Sequence, residues 1–290
     1  MNTVALVTLY NPDEKIFERI KLLSKQVSKV VLLDNSPVFN DKDDFSFIEN
    51  CVYHFFEKNL GLSAAFNWAL KNFDFIKSSD FILFFDQDSC VSENLVSTLV
   101  NDFTNLSKSQ KIGFLGPVYF DSTRNELSGI TKRSKKITEN IYEVSEIITS
   151  AMITTYEVLE CIGFWNESIF LDYADFELCW RGKKYGFKTF ITKNTVLNHS
   201  LGAGLLKCRL LKMSFNYSSA FREYYQSRAA VKLLKRSYVP ANWKRNFIFN
   251  LTVRIFIYLI HLPQKINRLK YFWLGILHGL FNKSGELKRF

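Results

Sequence analysis

The sequence predicts an α/β chain in which a mostly parallel central sheet is flanked by helices and followed by a basic, amphipathic helical extension. Three observations carry this. Short apolar runs at 4–9, 30–33 and 81–85 are too brief for ordinary helices and too uniformly apolar for strands with one wet face. Stretches with helical spacing of apolar residues separate them. Each run ends in polar or acidic residues, at the strand ends where open α/β sheets gather their ligands.

With 290 residues, 47% of them hydrophobic and 23% charged, the chain can bury a full core. Length alone suggests one large domain plus an appendage or two modest domains; with Ser237 to Asn242 read as a linker, the expected division is a large unit at 1–236 and an extension at 237–290. The five cysteines, Cys51, Cys90, Cys161, Cys179 and Cys208, are odd in number, scattered and free of any C-x-x-C pair. A reducing compartment is expected, without a disulfide framework or a zinc site. The opening Met1-Asn2-Thr3-Val4-Ala5-Leu6-Val7-Thr8 lacks a basic n-region and reads as a strand, not a signal peptide.

The net charge of +10 is unevenly spread. From Lys207 to Phe290 there are 17 Lys or Arg against two acids, Glu223 and Glu286, a net of +15; the remainder carries −5. The basicity belongs to the tail, which suits an anionic partner such as lipid headgroups or nucleic acid.

In chain order, Pro12 forces the first strand to turn after Tyr10-Asn11. A helix with Ile16, Ile20 and Leu23 on one stripe follows between Asp13 and Ser28, then the strand Val30-Val31-Leu32-Leu33 ending in Asp34-Asn35-Ser36-Pro37. A right-handed crossover of this kind brings residues 8–11 and Asp34 to one sheet edge, where Asp34 either binds a base or ribose or forms an Asx turn. After a short strand at 51–56, Gly61 turns the chain, Ser63 is placed to cap the next helix, and Ala64 and Ala65 let that helix lie close to the sheet. Such a helix start is also an anion site.

The strand Phe81-Ile82-Leu83-Phe84-Phe85 then delivers Asp86-Gln87-Asp88-Ser89. Alternate residues of an extended segment point the same way, so Asp86 and Asp88 can share one divalent cation and, through it, a diphosphate. A helix is expected over 94–106, a strand over 112–118 and a polar loop or hairpin over 121–140; 144–155 reads as extended, with Thr149, Ser150 and Ala151 small enough to line a groove. Asp172, Asp175 and Glu177 gather at a helix start, where a carboxylate serves the helix dipole or, aimed into a cleft, acts as a general base.

Strand-like runs at 189–192 and 196–197 end at His199, which is either a structural hydrogen bonder or a third metal ligand. Arg222 and Arg228, on one helix, can clamp phosphate oxygens or lie along its exterior. The apolar stretch 247–260 is broken by Asn250 and Arg254 and is shorter than the ~20 residues of a membrane span. With its basic flanks it reads as an interfacial anchor, or as a face packed on the body or on a second subunit.

In this order, the pieces Val7-Thr8-Leu9-Tyr10-Asn11-Pro12, Asp34-Asn35-Ser36, Asn59-Leu60-Gly61 with Asn67, Asp86-Gln87-Asp88-Ser89, Phe170-Leu171-Asp172-Tyr173-Ala174-Asp175 through Arg181, His199-Ser200-Leu201-Gly202 and Arg222 to Arg228 resemble the family-2 glycosyltransferases of the Rossmann-like GT-A fold, in their bacterial rhamnosyltransferase branch. The resemblance covers residues 4–228. It implies a nucleotide-sugar half at 1–120 and an acceptor half at 121–236. It also implies inverting, metal-dependent transfer of a sugar, with dTDP-L-rhamnose favoured as donor, to a glycan acceptor such as a polyprenyl-diphosphate-linked one in bacterial surface polysaccharide synthesis.

The same resemblance places Thr8, Tyr10, Asn11, Asp34, Asn59, Gly61, Asn67, Asp86, Gln87, Arg181, Arg222 and Arg228 around the nucleotide sugar. It puts Mg²⁺ or Mn²⁺ on Asp86, Asp88 and His199, and Thr149, Ser150, Trp165 and Tyr173 on the acceptor side. Asp175 matches the catalytic base, although many relatives have Glu-Asp where this chain has Ala174-Asp175, and Asp172 is the alternative. The expected location is the cytoplasmic face of a bacterial membrane, peripherally bound through the tail, with a homodimer as a further option and no nucleic acid. Other readings are a transferase of UDP-galactofuranose or a UDP-hexose, a basic binding module on an inactive α/β core, and a nucleotidyltransferase, whose glycine-rich phosphate loop is missing.

Overall fold

The computed structural model describes residues 2–39, 45–121, 125–199, 204–208, 213–249, 251 and 264–287, with backbone alone for 121, 199, 204–208 and 213–216. Strands β1 (Thr3–Leu9), β2 (Lys29–Asp34), β3 (Cys51–Phe55) and β4 (Phe81–Asp86) alternate with α1 (Ile16–Ser24) and α2 (Leu62–Asn72), followed closely by the short α3 (Asp74–Lys77). Then come α4 (Leu95–Ser107), β5 (Ile112–Asp121), β6 (Glu126–Ser128), β7 (Lys135–Lys136), β8 (Ile141–Val144), β9 (Met152–Thr154), α5 (Tyr156–Ile162) and α6 (Ala174–Lys184). The chain continues through β10 (Lys188–His199), the pair β11 (Gly204–Cys208) and β12 (Met213–Tyr217), α7 (Ala220–Leu234), a helix α8 (241–249) and α9 (Lys265–Leu280).

Among the described residues the main sheet runs β3-β2-β1-β4-β9-β5-β10-β8-β7, with β6 beside β5. Its first four strands are parallel, as is the β5–β10 pair, while β9 runs antiparallel between β4 and β5. The register sets Leu9 beside Asp34 and Thr8 beside Asp86, so the ends of β1, β2 and β4 share one edge, as the crossover argument requires.

Both faces of the sheet are buried, which is why its strands are continuously apolar. Val4 and Leu6 pack into the core beneath α2, α5 and α6, while Ala5, Val7 and Leu9 enter the one beneath α1 and α4. The predicted stripe Ile16, Ile20 and Leu23 is the buried face of α1. Two expectations need adjustment. Gly61 caps α2, and Ser63 lies inside the helix with a buried hydroxyl that has no hydrogen-bond partner, so it does not act as the cap. The runs at 189–192 and 196–197 form one strand, β10, whose register against β5 shifts between Thr192 and Val196 and so accommodates the polar residues between them.

Helix α9 lies against α7. A Cβ added at Gly275 would stand 2.0 Å from Ser227 Oγ, and one at Gly279 would stand 2.8 Å from Val231 Cβ. Two glycines four residues apart therefore set the approach of the helices. Buried Arg268 donates to the Ser218 carbonyl at 2.8 Å and pairs with buried Glu223 at 3.3 Å. Arg228 Nη2 donates to the Gly285 carbonyl, and Lys235 Nζ to the carbonyls of Gly279 and Leu280, where the α9 dipole is negative. Most of the apolar stretch at 247–260 lies outside the described residues; among those described, no helix is long and apolar enough to cross a membrane. Gly275→Ala is expected to cost about 1–3 kcal/mol of stability through overpacking, read as a lowered midpoint in chemical denaturation.

Candidate active site

The turn after β4 is held from the strand beside it. Gln87 accepts from the Tyr10 N–H at 2.7 Å and donates to the Tyr10 carbonyl at 3.2 Å. Arg19, fixed by Asp13 at 2.8 Å, donates to the Gln87 carbonyl at 3.2 Å. Its guanidinium hydrogen bond is the main cause holding the Asp13 carboxyl below its ordinary value. Asp86 is half-buried at the strand end and Asp88 is exposed. On the far side Cys90 bridges to Asn198, so the backbone preceding His199 runs alongside this turn. The His199 side chain lies outside the described residues, so its metal-ligand role is not addressed by these contacts.

The second acidic group arrives from the start of α6. Tyr173 takes a left-handed conformation, φ 67°, and turns the chain so that Asp172 and Asp175 flank the helix entrance. Asp175 Oδ2 accepts from the Thr149 backbone at 3.1 Å and from its hydroxyl at 3.4 Å, while the Ser150 hydroxyl donates to Asp86 at 2.6 Å. Two consecutive residues thus tie together carboxylates 89 positions apart. Burial pushes the Asp175 carboxyl up to about 7, with the charges of Asp86 and Asp172 adding to the rise against hydrogen bonds from the Phe176 and Thr149 backbones. Asp172 pairs with Arg222 of α7 at 2.9 Å and also accepts from Gln226 at 3.3 Å. The Asp172 charge raises Arg222, and Asp86 and Asp175 act on it in the same direction. Asp86, Asp172, Asp175 and Arg222 therefore form one electrostatic cluster.

Other residues singled out from the sequence have different surroundings. Asp34 is fully buried, its oxygens accepting from Ser36 N–H at 2.8 Å and Tyr53 hydroxyl at 2.6 Å. Asn11, at φ 45°, is anchored by the Ser36 hydroxyl, and Thr8 sits beside Asp86 in register. Asn59 accepts from Gly61, whose φ of 79° and contact with Phe170 leave no room for a side chain. Asn67 clamps Trp165 in both directions, at 2.9 and 3.0 Å, and Trp165 is a core residue, 2% exposed, against Phe66 and Phe84. Tyr173 is half-buried and packs on Trp243.

The three arginines differ in what it would take to recruit them. Arg181 is bonded to the Ile162 and Phe164 carbonyls and to fully buried Glu177. Breaking a buried pair of this kind costs roughly 3–5 kcal/mol. Arg228 is 2% exposed, its guanidinium against the rings of Tyr224 and Tyr225 and away from the carboxylate cluster. Arg222 is 45% exposed while its partner Asp172 is only 9% exposed, so of the three arginines it alone has a solvent-open side from which a ligand can reach it. Gln226, Arg19 and Tyr53 are contributors that sequence patterns did not single out individually; of these only Gln226 carried a signal, four residues beyond Arg222 on one helix face.

Among the described residues no group of three or more His, Cys, Asp or Glu is placed to hold a metal. Asp86 and Asp88 still offer hard oxygen donors, and the neighbouring Ser89 hydroxyl is buried without a hydrogen-bond partner. One or two carboxylates plus substrate phosphates are the usual protein share of a Mg²⁺ site, so the residues fit such a cation.

No family model matches the chain. It is 28% identical to the dTDP-rhamnosyl transferase RfbF of Shigella flexneri, over 98% of this chain and 97% of that one. Among solved structures, TarS 1–349 of S. aureus superposes with a TM-score of 0.53 at 17% identity, covering 96% of this chain and 81% of its own. GalNAc-T7 with UDP, GalNAc and Mn²⁺ gives 0.55 at 13% identity over 69% of this chain, which spans only 43% of that protein. A crystal structure of TarS 1–349 in complex with UDP gives 0.50 at 19% identity, over 95% of this chain and 81% of its own. The chain thus has the fold of the GT-A glycosyltransferases and is similar along its whole length to a dTDP-rhamnosyl transferase, a likeness in sequence and fold that supports glycosyltransferase activity.

Proposed function

We propose that the chain transfers L-rhamnose from dTDP-L-rhamnose to a glycan acceptor with inversion, Asp175 acting as the base. The observation that carries this reading is the joining of Asp86 and Asp175 by the Ser150 and Thr149 hydroxyls, with Asp175 pushed up to about 7. A base whose affinity for protons is matched to neutral pH serves proton removal from a sugar hydroxyl best. The donor follows the full-length likeness to a dTDP-rhamnosyl transferase. A UDP-sugar is the second reading, favoured by the likeness to a protein crystallised with UDP.

Asp86 and Asp88 would hold Mg²⁺ or Mn²⁺ beside the donor. When bound, such an ion offsets charge on the departing nucleoside diphosphate. Arg222 turns from Asp172 to the phosphate oxygens, and its fork suits them. Asn11 and Thr8 frame the nucleotide end, with buried Asp34 holding the Ser36 turn that anchors Asn11, and Asp175 removes the acceptor proton as the hydroxyl attacks the anomeric carbon. Within this reading 1–236 is the transferase unit and 237–290 its extension.

In this reading the acceptor rides on a lipid carrier at the cytoplasmic membrane face, and the outer surface of α9 supports it. Helix α9 exposes Ile266, Trp273, Leu277 and Leu280 on one stripe, with Phe281 following and Lys265 and Lys270 alongside. Each lysine near anionic lipid adds about 1 kcal/mol.

Asp175→Asn is expected to bind dTDP-L-rhamnose within a few-fold of wild type and to lose roughly 10²–10⁴-fold in transfer rate. Asp88→Ala is expected to lose Mn²⁺-dependent donor binding, measured by calorimetry with a panel of nucleotide sugars. Normal transfer by Asp175→Asn, with loss in Asp172→Asn, would move the base to Asp172.

The transfer rate of the wild type should rise with pH through about 7 as Asp175 loses its proton. Stability should move the other way. The folded carboxyl binds its proton more tightly than the unfolded one, so the contribution is full below the unfolded value near 3.8 and is lost as pH rises through about 7. Asp175→Asn should therefore unfold later than wild type at pH 8, by on the order of 1–2 kcal/mol in denaturant titration.

The double substitution Ile266→Glu and Trp273→Glu should reduce co-sedimentation with phosphatidylglycerol-rich vesicles about tenfold, leaving the fold intact. If it instead halves the mass seen in light scattering, the stripe belongs to a second copy of the chain.

A further inference from the structure

A cleft leads away from the paired carboxylates. Its inner part, about 150 Å³, is bordered by Ser150 and Phe176, the first bonded to Asp86 and the second following Asp175 in sequence. Its outer part, about 380 Å³, lies between the β6–β7 region and the chain at 240–246. Gly129, Thr131 and Glu146 border both, so the two are one groove.

We propose that this groove is the acceptor site and that it takes a saccharide, with Trp243 as the platform at its outer end; this rests on the transferase reading above. The volume of the outer part falls in the range of small-ligand sites, roughly 300–1,000 Å³. A sugar ring has an apolar C–H face and a rim of hydroxyls, and the groove offers partners for both. Trp243 is half-buried and held rigidly, its ring 5.2 Å from Trp180, 5.4 Å from Tyr173 and 5.5 Å from a stacked Phe247. Rigid aromatic surface gives contact area at a low cost in conformational entropy.

Asn242, Asn246, Glu143 and Glu146 supply planar polar groups that can engage adjacent hydroxyls in pairs. Glu146 is already oriented, accepting from Trp180 Nε1 at 2.9 Å. The bases Arg133, Lys135 and Lys183 line the same groove as these acids, so its charges are mixed, and neutral sugar rings suit it better than a diphosphate. Trp165, expected on the acceptor side, is sealed in the core, whereas Trp243 borders the groove.

The test titrates octyl glycosides of a hexose, an N-acetylhexosamine and a deoxyhexose into the full chain by saturation-transfer NMR, with dTDP-L-rhamnose titrated in parallel. Wild type is expected to bind at least one glycoside. Trp243→Ala and Asn246→Trp are each expected to weaken that binding at least tenfold while donor affinity stays within twofold. Asn246 is exposed, so its replacement fills the groove without disturbing the packing of Trp243, and this variant decides the matter if Trp243→Ala unfolds. Binding of no glycoside by wild type, or equal binding by folded variants, overturns the proposal. Glycoside binding through the groove with no affinity for any nucleotide sugar sinks the transferase reading instead.

Discussion

Thr149 and Ser150 are adjacent, yet their hydroxyls reach carboxylates delivered by different parts of the fold, Asp175 from the start of α6 and Asp86 from the end of β4. Two acids in a shared space repel, and the rise of Asp175 to about 7, which burial drives first, is increased by the charge of Asp86. The pair can be held together only because the neighbouring turn supplies donors. That turn is itself pinned to the sheet, since the Ala151 N–H donates to the Phe84 carbonyl at 2.8 Å and β9 inserts antiparallel between β4 and β5. The antiparallel strand in an otherwise parallel neighbourhood thus brings the 149–151 turn to the edge where β4 ends.

A good part of this was legible from residues alone. Strands buried on both faces announce themselves as apolar runs, and a crossover of fixed hand forces Thr8 and Asp34 to one edge, so the site could be placed before its side chains were known. Asp86 and Asp175 were legible because acids at a strand end and at a helix start are chemically conspicuous. What sequence could not supply is which polar group faces which. Arg181 and Arg222 look alike on paper, but one is sealed by Glu177 and two carbonyls while the other sits half in solvent. Trp165 and Trp243 show the same difficulty. Both are tryptophans followed by a polar residue in sequence, Asn166 and Lys244, and only packing reveals that the first fills the core and the second borders a groove. Ser63 failed as a cap because Gly61, with its left-handed backbone, had already begun the helix.

Helix α9 is seated on the rest of the described chain chiefly through α7. The first two turns of α7 present Arg222 and Gln226 to Asp172, and further along the same helix buried groups engage α9 and the segment after it. One rigid helix therefore contacts the carboxylate cluster at one end and the tail along its length.

The tail's formal charge overstates what an ion outside would feel. Arg228, Lys232 and Arg268 are all but sealed from solvent and turned inward, spending their hydrogen bonds on Tyr224 and Gly285, on Ser168 and Ser284, and on Ser218 and Glu223. Added electrolyte reaches such groups poorly, whereas it damps the exposed lysines fully. Raising ionic strength should therefore loosen whatever the outside of this segment touches long before it loosens the segment itself.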